Sequence, residues 1–156
     1  MRTSSERIEP GGQRIEQPLQ PLQPSQESAA LTGRLRALHL PVACCALEAL
    51  AATSALAALG VDLVDDEPAE ADLLVISGTV THTMAPTIAA VHARLRPGAR
   101  VIAFGVCATT GGPYWDSYSV LQGVDRVVPV DRYVPGCPPR PQALVDAITS
   151  LIGAQG

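Results

Sequence analysis

The chain has 156 residues, of which 47% are apolar and only 3% aromatic, and its formal net charge is -4. This length fits one domain with a core of aliphatic side chains, and the acidic balance excludes a nucleic-acid partner bound through a basic face. Residues 1–27 are polar and contain no apolar stretch of the secretory type, so we expect no secretory signal. Without one, metal binding is favoured over disulfides for the four cysteines.

Two regions of different composition follow one another. Residues 1–30 are rich in Pro and Gln and include QPLQPLQP at 17–24, which predicts a disordered tail; an arm that becomes ordered on a partner is the alternative. Residues 31–156 are predicted to form the folded domain. The apolar residues 38–64 are long enough to span a membrane, but Pro41, Gly60 and the β-branched end favour a strand–helix–strand unit.

Apolar runs that alternate with Ala/Leu-rich segments predict an α/β domain. The predicted elements, in chain order, are a strand or short helix at 35–42, a helix at 46–59 closed by Gly60, strands at 61–64 and 73–77, a helix at 84–95, a strand at 100–104, a short strand at 127–130 and a helix at 141–152. This order predicts a parallel sheet with helices on both faces. Ligands of such sheets bind outside the carboxyl ends of the strands.

The cysteines occupy similar places in this pattern. Cys44 and Cys45 follow the first apolar run, Cys107 follows the strand at 100–104, and Cys137 lies in a Gly/Pro loop. Since the carboxyl ends of parallel strands share one edge, thiols far apart in sequence can meet there. Four thiolates are the ligand number of one 4Fe–4S cluster, and the wide spacing fits no zinc ribbon. We therefore interpret the four cysteines as the ligands of one such cluster.

Two other interpretations of the cysteines remain open on the residues alone. Buried thiols are common in apolar cores and need no function. A redox disulfide is less favoured, because only the tandem pair is close in sequence.

A few residues next to these positions are weaker candidates for cofactor binding. Gly78 and Thr79 lie between a strand and a helix, where an anion site or a simple capped turn is expected, and capping is favoured. Gly105 and Gly136 precede cysteines, and Glu48 follows the tandem pair. The chain has no GxGxxG motif and no P-loop, so nucleotide binding has no support.

Several segments of the domain together resemble one family. They are Cys44-Cys45-x-x-Glu48 and residues 71–79, 84–86, 105–108, 117–120 and 123–141. With them, residues 36–152 resemble the B subunit of bacterial NADH:quinone oxidoreductase, the iron–sulfur subunit of respiratory complex I. That family is related to the small subunits of nickel–iron hydrogenases.

The resemblance implies a flavodoxin-like fold without flavin and one 4Fe–4S cluster held by Cys44, Cys45, Cys107 and Cys137. It implies a peripheral position on the cytoplasmic face of the cell membrane, among the other peripheral-arm subunits and the membrane arm. Electrons from NADH-derived carriers would pass through the cluster to quinone, at an interface with a partner subunit. The chain would be a subunit of an NADH:quinone oxidoreductase, and it would not be active alone.

The chain also departs from the family pattern. Ala49 stands where the family has Met, and Thr83 stands where it has Lys. Such losses suggest a divergent paralogue. The alternatives are therefore the cluster-bearing subunit of a membrane-bound nickel–iron hydrogenase-type complex and a cluster-free assembly or interaction protein.

Overall fold

The computed structural model describes residues 34–154. The strands in this part of the chain are β1 (Leu35–Pro41), β2 (Val61–Val64), β3 (Leu73–Ser77), β4 (Arg100–Phe104) and β5 (Arg132–Val134). The helices are α1 (Cys45–Ala51), α2 (Thr53–Ala58), α3 (Ala85–Ala93), α4 (Val106–Thr110) and α5 (Pro141–Gly153). All the strand pairs are parallel, in the order β2-β1-β3-β4-β5. The predicted tail, residues 1–30, lies outside the described residues.

The sheet is covered on both faces, as strand β3 shows. Leu73 and Val75 pack into one core, to which α1, α2 and α5 contribute, whereas Leu74 and Ile76 pack into a second core with Ile88 of α3. Successive residues of a strand point to opposite faces, so a run that is apolar throughout fits a sheet with two covered faces. The prediction of a single α/β domain with a flavodoxin-like parallel sheet is therefore confirmed.

The predicted helix at 46–59 is divided into α1 and α2. The N–H group of Ala52 donates to the carbonyl of Ala49, which tightens the last turn of α1. The Thr53 hydroxyl then donates to the Leu50 carbonyl at 2.7 Å, a local bond that competes with the regular helix ladder. Gly60, at φ 80°, ends α2 as expected.

The predicted strand at 127–130 is wrong. The N–H groups of Val127 and Val128 both donate to the carbonyl of Val124, and Val128 is buried in the core on the α3 face. The apolar side chains are thus buried by a turn rather than by a strand, and Pro129 has no N–H group for a ladder. Pairing with β4 begins later, at Arg132.

Each cysteine-bearing segment starts at the carboxyl end of a strand. β1 leads into α1, β4 leads through Gly105 into the unpredicted helix α4, and β5 leads into residues 135–139. The cysteines therefore lie at one edge of the sheet. No helix within residues 34–154 combines the length and the apolar character that a membrane span needs, which agrees with the strand–helix–strand interpretation of residues 38–64.

Both outer strands of this sheet are short. β2 has 4 residues and β5 has 3, whereas the strand next to β2, β1, has 7. Charged residues also border the outer strands: the Arg34 guanidinium bonds the Asp62 carboxylate of β2 at 2.7 Å.

A buried polar pair joins β1 to β3. His39 is 3% exposed, and its Nε2 lies 2.6 Å from the hydroxyl of the fully buried Ser77. Burial lowers the pKa of His39 below its ordinary value of 6.5, against a smaller opposing effect of Asp65. The imidazole is therefore neutral in the folded chain at neutral pH.

We predict that this histidine makes the fold sensitive to mild acid. As the pH falls below about 6.5, His39 takes up a proton in the unfolded chain before it does so in the folded chain. The stability that the neutral imidazole contributes is therefore fully present above that pH and is lost progressively below it. The urea midpoint should fall between pH 7.5 and pH 5, and His39→Gln, which keeps a polar group but does not titrate, should reduce that fall. The matched control is His82→Gln at an exposed position; equal pH dependence of His39→Gln and the wild type would contradict the prediction.

Candidate metal centre

The Cys45 thiol lies directly against the backbone of Gly105. A Cβ atom built on Gly105 would collide with the Sγ of Cys45 and would lie 3.8 Å from the carbonyl oxygen of Gly136. Gly105 has φ 100° and ψ 154°, a conformation that is nearly restricted to glycine. The first turn of α1, the β4–α4 turn and the loop after β5 therefore meet at Gly105.

The backbone fixes this meeting point. The N–H of Gly105 donates to the Val134 carbonyl at 2.8 Å, and the N–H of Val106 donates to the Gly136 carbonyl at 2.8 Å. These two bonds extend the pairing of β4 with β5 beyond the ends of both strands. The other cysteines lie next to the contact: Cys44 precedes Cys45, Cys107 follows Gly105 by two positions, and Cys137 follows Gly136.

The four thiols differ in exposure. Cys45 and Cys107 are buried, Cys44 and Cys137 are exposed, and all four are free thiols. The structure thus gives no support to a disulfide within the tandem pair. Another glycine makes room for Cys107, because a Cβ on Gly112 would lie 2.9 Å from the Sγ of Cys107.

Electrostatics show that the thiols influence one another. Burial raises the pKa of the Cys45 thiol to about 12, with further contributions from the charge of Cys44, a hydrogen bond to it, and the charges of Cys107 and Cys137. A buried thiolate among other thiolates is unfavourable unless a cation compensates its charge. The surroundings of Cys45 therefore suit a neutral thiol or a thiolate bound to metal.

The side chains are not arranged as a closed metal cage. Among residues 34–154, no three His, Cys, Asp or Glu side chains stand close enough together to hold a metal ion. The thiol donors nevertheless suit iron–sulfur chemistry, and the exposed side chains of Cys44 and Cys137 have room to change rotamer. The ligand set Cys44, Cys45, Cys107 and Cys137 fits the group and stays a prediction.

The weaker candidates divide into two groups. Gly105 contacts Cys45, and the carbonyl oxygen of Gly136 lies beside Gly105. Gly78 instead supports the loop before Cys44, because a Cβ there would lie 2.7 Å from the Cβ and the N of Ala43. Glu48 and Thr79 are half-buried, and within the described residues neither side chain makes a hydrogen bond.

Two features of the site were missed in the sequence. One is Gly112, although a Gly-Gly pair shortly after a cysteine indicates close backbone approach. The other is the outer face of α1, where Leu47 is 72% exposed and Leu50 is 53% exposed beside the tandem cysteines. Leucines at positions i and i+3 share one face of a helix, so they give the site an apolar border.

Comparison with known proteins gives sequence relatives of one type. Residues 35–151 match the family model described as NADH ubiquinone oxidoreductase, 20 Kd subunit. The NADH-quinone oxidoreductase B subunit numbered 2 in Streptomyces griseus is 50% identical over 113 residues, which are 70% of this chain and 48% of that protein. The corresponding B subunit of Heliobacterium modesticaldum is 48% identical over 113 residues, 70% of this chain and 65% of that protein. The chain therefore spans about half to two thirds of these relatives.

A solved structure agrees with the sequence relatives. A chain in the membrane-bound sulfane sulfur reductase (MBS), described as an archaeal respiratory membrane complex, is 29% identical with a TM-score of 0.64. The likeness covers 78% of this chain and 70% of that chain. The family model covers most of the described domain, and the resemblance noted in the sequence is confirmed: the chain belongs to the family of the 20 kDa subunit of NADH ubiquinone oxidoreductase.

Proposed function

We propose that the chain is an electron-transfer subunit of a complex I-type assembly and holds one 4Fe–4S cluster through Cys44, Cys45, Cys107 and Cys137. Electrons from NADH-derived carriers would leave the cluster for quinone at an interface with a partner subunit. The assembly would lie at the cytoplasmic face of the membrane, where this chain is peripheral. Relatives named as B subunits of NADH-quinone oxidoreductases support this assignment.

The observation that carries the proposal is the contact of Cys45 with Gly105, which lies beside the loop that contains Gly136. Three segments that are remote in sequence converge at Gly105, and each brings at least one cysteine close to it in sequence or in space. A core thiol without a function needs no such convergence of the other cysteines. The geometry therefore favours a shared site over four separate core thiols.

The chain's own residues would determine the environment of the cluster. When bound, the cluster supplies a centre that accepts and releases one electron. Cys45 and Cys107, both buried, would hold it against the dry interior, and the small glycines allow the backbone to come close. Burial and nearby hydrogen bonds are the factors through which a protein sets the reduction potential of such a group.

The exposed side of the site supports a protein partner. Cys44 and Cys137 reach the surface, and Leu47 and Leu50 border Cys44 with apolar surface. A partner that covers this face would bury the leucines and exclude water from the outer thiols. We assign this face to the quinone-site partner subunit.

A different acceptor is the second candidate. The likeness to a chain of a sulfane sulfur reductase supports an electron-transfer subunit whose assembly does not reduce quinone. The hydrogenase-type alternative belongs to the same class. Adding a quinone to the dithionite-reduced, purified assembly separates the candidates: rapid reoxidation of the cluster signal supports the first, and an unchanged signal supports the second.

We predict that this chain, purified anaerobically with its co-purifying subunits, binds about four iron atoms per copy and gives a low-temperature EPR signal when reduced. Cys107→Ala should lose that signal and most of the iron, because one inner ligand is gone. The control is Thr110→Ala, an exposed position in the same helix, which should keep both. Wild-type iron content in Cys107→Ala would exclude the ligand set, and a colourless wild-type protein would support the cluster-free alternative.

A second prediction tests the glycine contact itself. Gly105→Ala places a methyl group against the Sγ of Cys45 and should lower iron content and the free energy of unfolding, the latter by about 1–3 kcal/mol for backbone strain alone. The matched control is Gly98→Ala, also at positive φ (84°) but with nothing within 4 Å of the added Cβ. It should be destabilised while it keeps its iron. Equal iron loss in both variants would mean that general destabilisation, not the contact with Cys45, releases the cluster.

A further inference from the structure

Helix α4, which carries Cys107, begins without a side-chain cap. Its N-cap residue is Gly105, which has no side chain to bond the free N–H groups of the first turn, and the helix has only 5 residues. A helix of this length is not stable by itself, because nucleation costs more free energy than a few hydrogen bonds return. The start of α4 therefore depends on other contacts.

One of these contacts is the hydroxyl group of Thr109. It donates to the Gly105 carbonyl at 2.8 Å, and the backbone N–H of the same threonine donates to the same oxygen at 3.1 Å. A backbone carbonyl oxygen has two lone pairs. Thr109 therefore uses the full acceptor capacity of this oxygen and holds it with two bonds from the helix.

The next residue provides a comparison within the same helix. The Thr110 hydroxyl donates to the carbonyl of Val106 at 3.3 Å, and Thr110 is exposed, whereas the Thr109 bond is shorter and half-buried. A hydroxyl that bonds the carbonyl four residues earlier slightly destabilises a helix in general. A stabilising effect of Thr109 would therefore come from the residue that it holds, not from the helix.

The peptide group between Gly105 and Val106 connects Thr109 to another cysteine segment. Its carbonyl accepts from Thr109, and its N–H group donates to the Gly136 carbonyl at 2.8 Å. That carbonyl belongs to the peptide group that joins Gly136 to Cys137. Hydrogen bonds in such a chain polarise and strengthen one another. The Thr109 hydroxyl is thus the first donor of a chain of hydrogen bonds that ends at the Cys137 segment.

The same peptide group adjoins the tandem-cysteine segment. The Sγ of Cys45 lies where a Cβ on Gly105 would be, so a rotation of the 105–106 peptide group would move the backbone that Cys45 touches. Because glycine is conformationally permissive, the orientation of this peptide group depends on its hydrogen bonds.

Thr109 is itself fixed by a further glycine. A Cβ on Gly123 would lie 2.6 Å from the Thr109 carbonyl oxygen, so the backbone just before the turn Val124–Arg126 packs directly against α4. Thr109 is therefore held by the fold at its backbone, while its hydroxyl holds Gly105.

We propose that Thr109 is a positioning residue of the metal centre. Its hydroxyl fixes the 105–106 peptide group and, through it, the relative placement of Cys45, Cys107 and Cys137. This inference rests on the proposed function, because it takes these cysteines to share one site. It does not depend on the identity of the electron acceptor.

The test compares the wild type with three variants of the full chain, all prepared free of iron. Thr109→Val keeps the shape of the side chain and removes the hydroxyl, Thr109→Ser keeps the hydroxyl, and Thr110→Val is the matched control. Alkylation by iodoacetamide is followed at each cysteine by mass spectrometry. In Thr109→Val the rate at Cys45, relative to the exposed Cys137, should rise about fivefold, the factor that corresponds to one lost hydrogen bond. The other two variants should keep the wild-type rate.

The iron-loaded assembly provides a second measurement. Hydrogen bonds around the ligands tune such a centre, so Thr109→Val should shift the g values of the EPR signal and release iron to a chelator faster, when compared with the wild type at equal iron content. Thr109→Ser and Thr110→Val should give the wild-type spectrum.

Equal Cys45 rates in Thr109→Val and Thr110→Val would overturn the proposal. A Thr109→Ser rate as high as that of Thr109→Val would overturn it too, because the methyl group and not the hydroxyl would then be responsible. If Thr109→Val is less stable, Gly98→Ala, adjusted with urea to the same free energy of unfolding, shows how much alkylation general destabilisation causes. A rate in Thr109→Val that does not exceed it also contradicts the proposal. A wild-type assembly without iron would contradict the proposed function alone, since the alkylation test needs no iron.

Discussion

The absence of a side chain at position 105 is the constraint on which the site depends. Cys45 Sγ occupies the space that a Cβ of residue 105 would take, and the carbonyl oxygen of Gly136 lies next to the same space. Parallel pairing of β4 with β5 holds these glycines in register. Any larger residue there would push α1 away from the sheet edge and separate the tandem cysteines from the other two.

The same contact divides the thiols into an inner and an outer pair. The inner pair faces the interior, where low dielectric strengthens electrostatic interactions and where an uncompensated thiolate is unfavourable. The outer pair is exposed to solvent, and Cys44 adjoins the exposed leucines of α1. This chain therefore shields the inner pair from water, and the proposed partner surface would shield the outer pair.

Much of this arrangement was predictable from the sequence. β3 and β4 are continuous apolar runs because both faces of the sheet are covered, and the parallel order followed from the alternation of strands and helices. That order alone indicated a common edge for the cysteines. The number and positions of the cysteines indicated the four-cysteine ligand set, whereas the family came from resemblance, which implies the same set.

The rest depended on contacts that local pattern does not contain. Residues 127–130 resemble a strand, yet here a turn places Val128 in the core and leaves Val127 and Val130 half-buried. Helix α4 has 5 residues, too few to show helical periodicity. The contact of Gly105 with Cys45 joins residues remote in sequence, and the burial of His39 against Ser77 depends on how β1 and β3 align.

The short outer strands have a consequence for the life of the chain before it is assembled. An exposed sheet edge offers unpaired N–H and C=O groups as a template on which foreign chains can add, and long apolar edges promote aggregation. Here the outer strand β2 has 4 residues and the outer strand β5 has 3, so each edge offers few backbone groups with which another strand could pair. A newly made chain, which is rich in aliphatic residues and not yet assembled, is thereby protected from edge-to-edge pairing with other copies of itself.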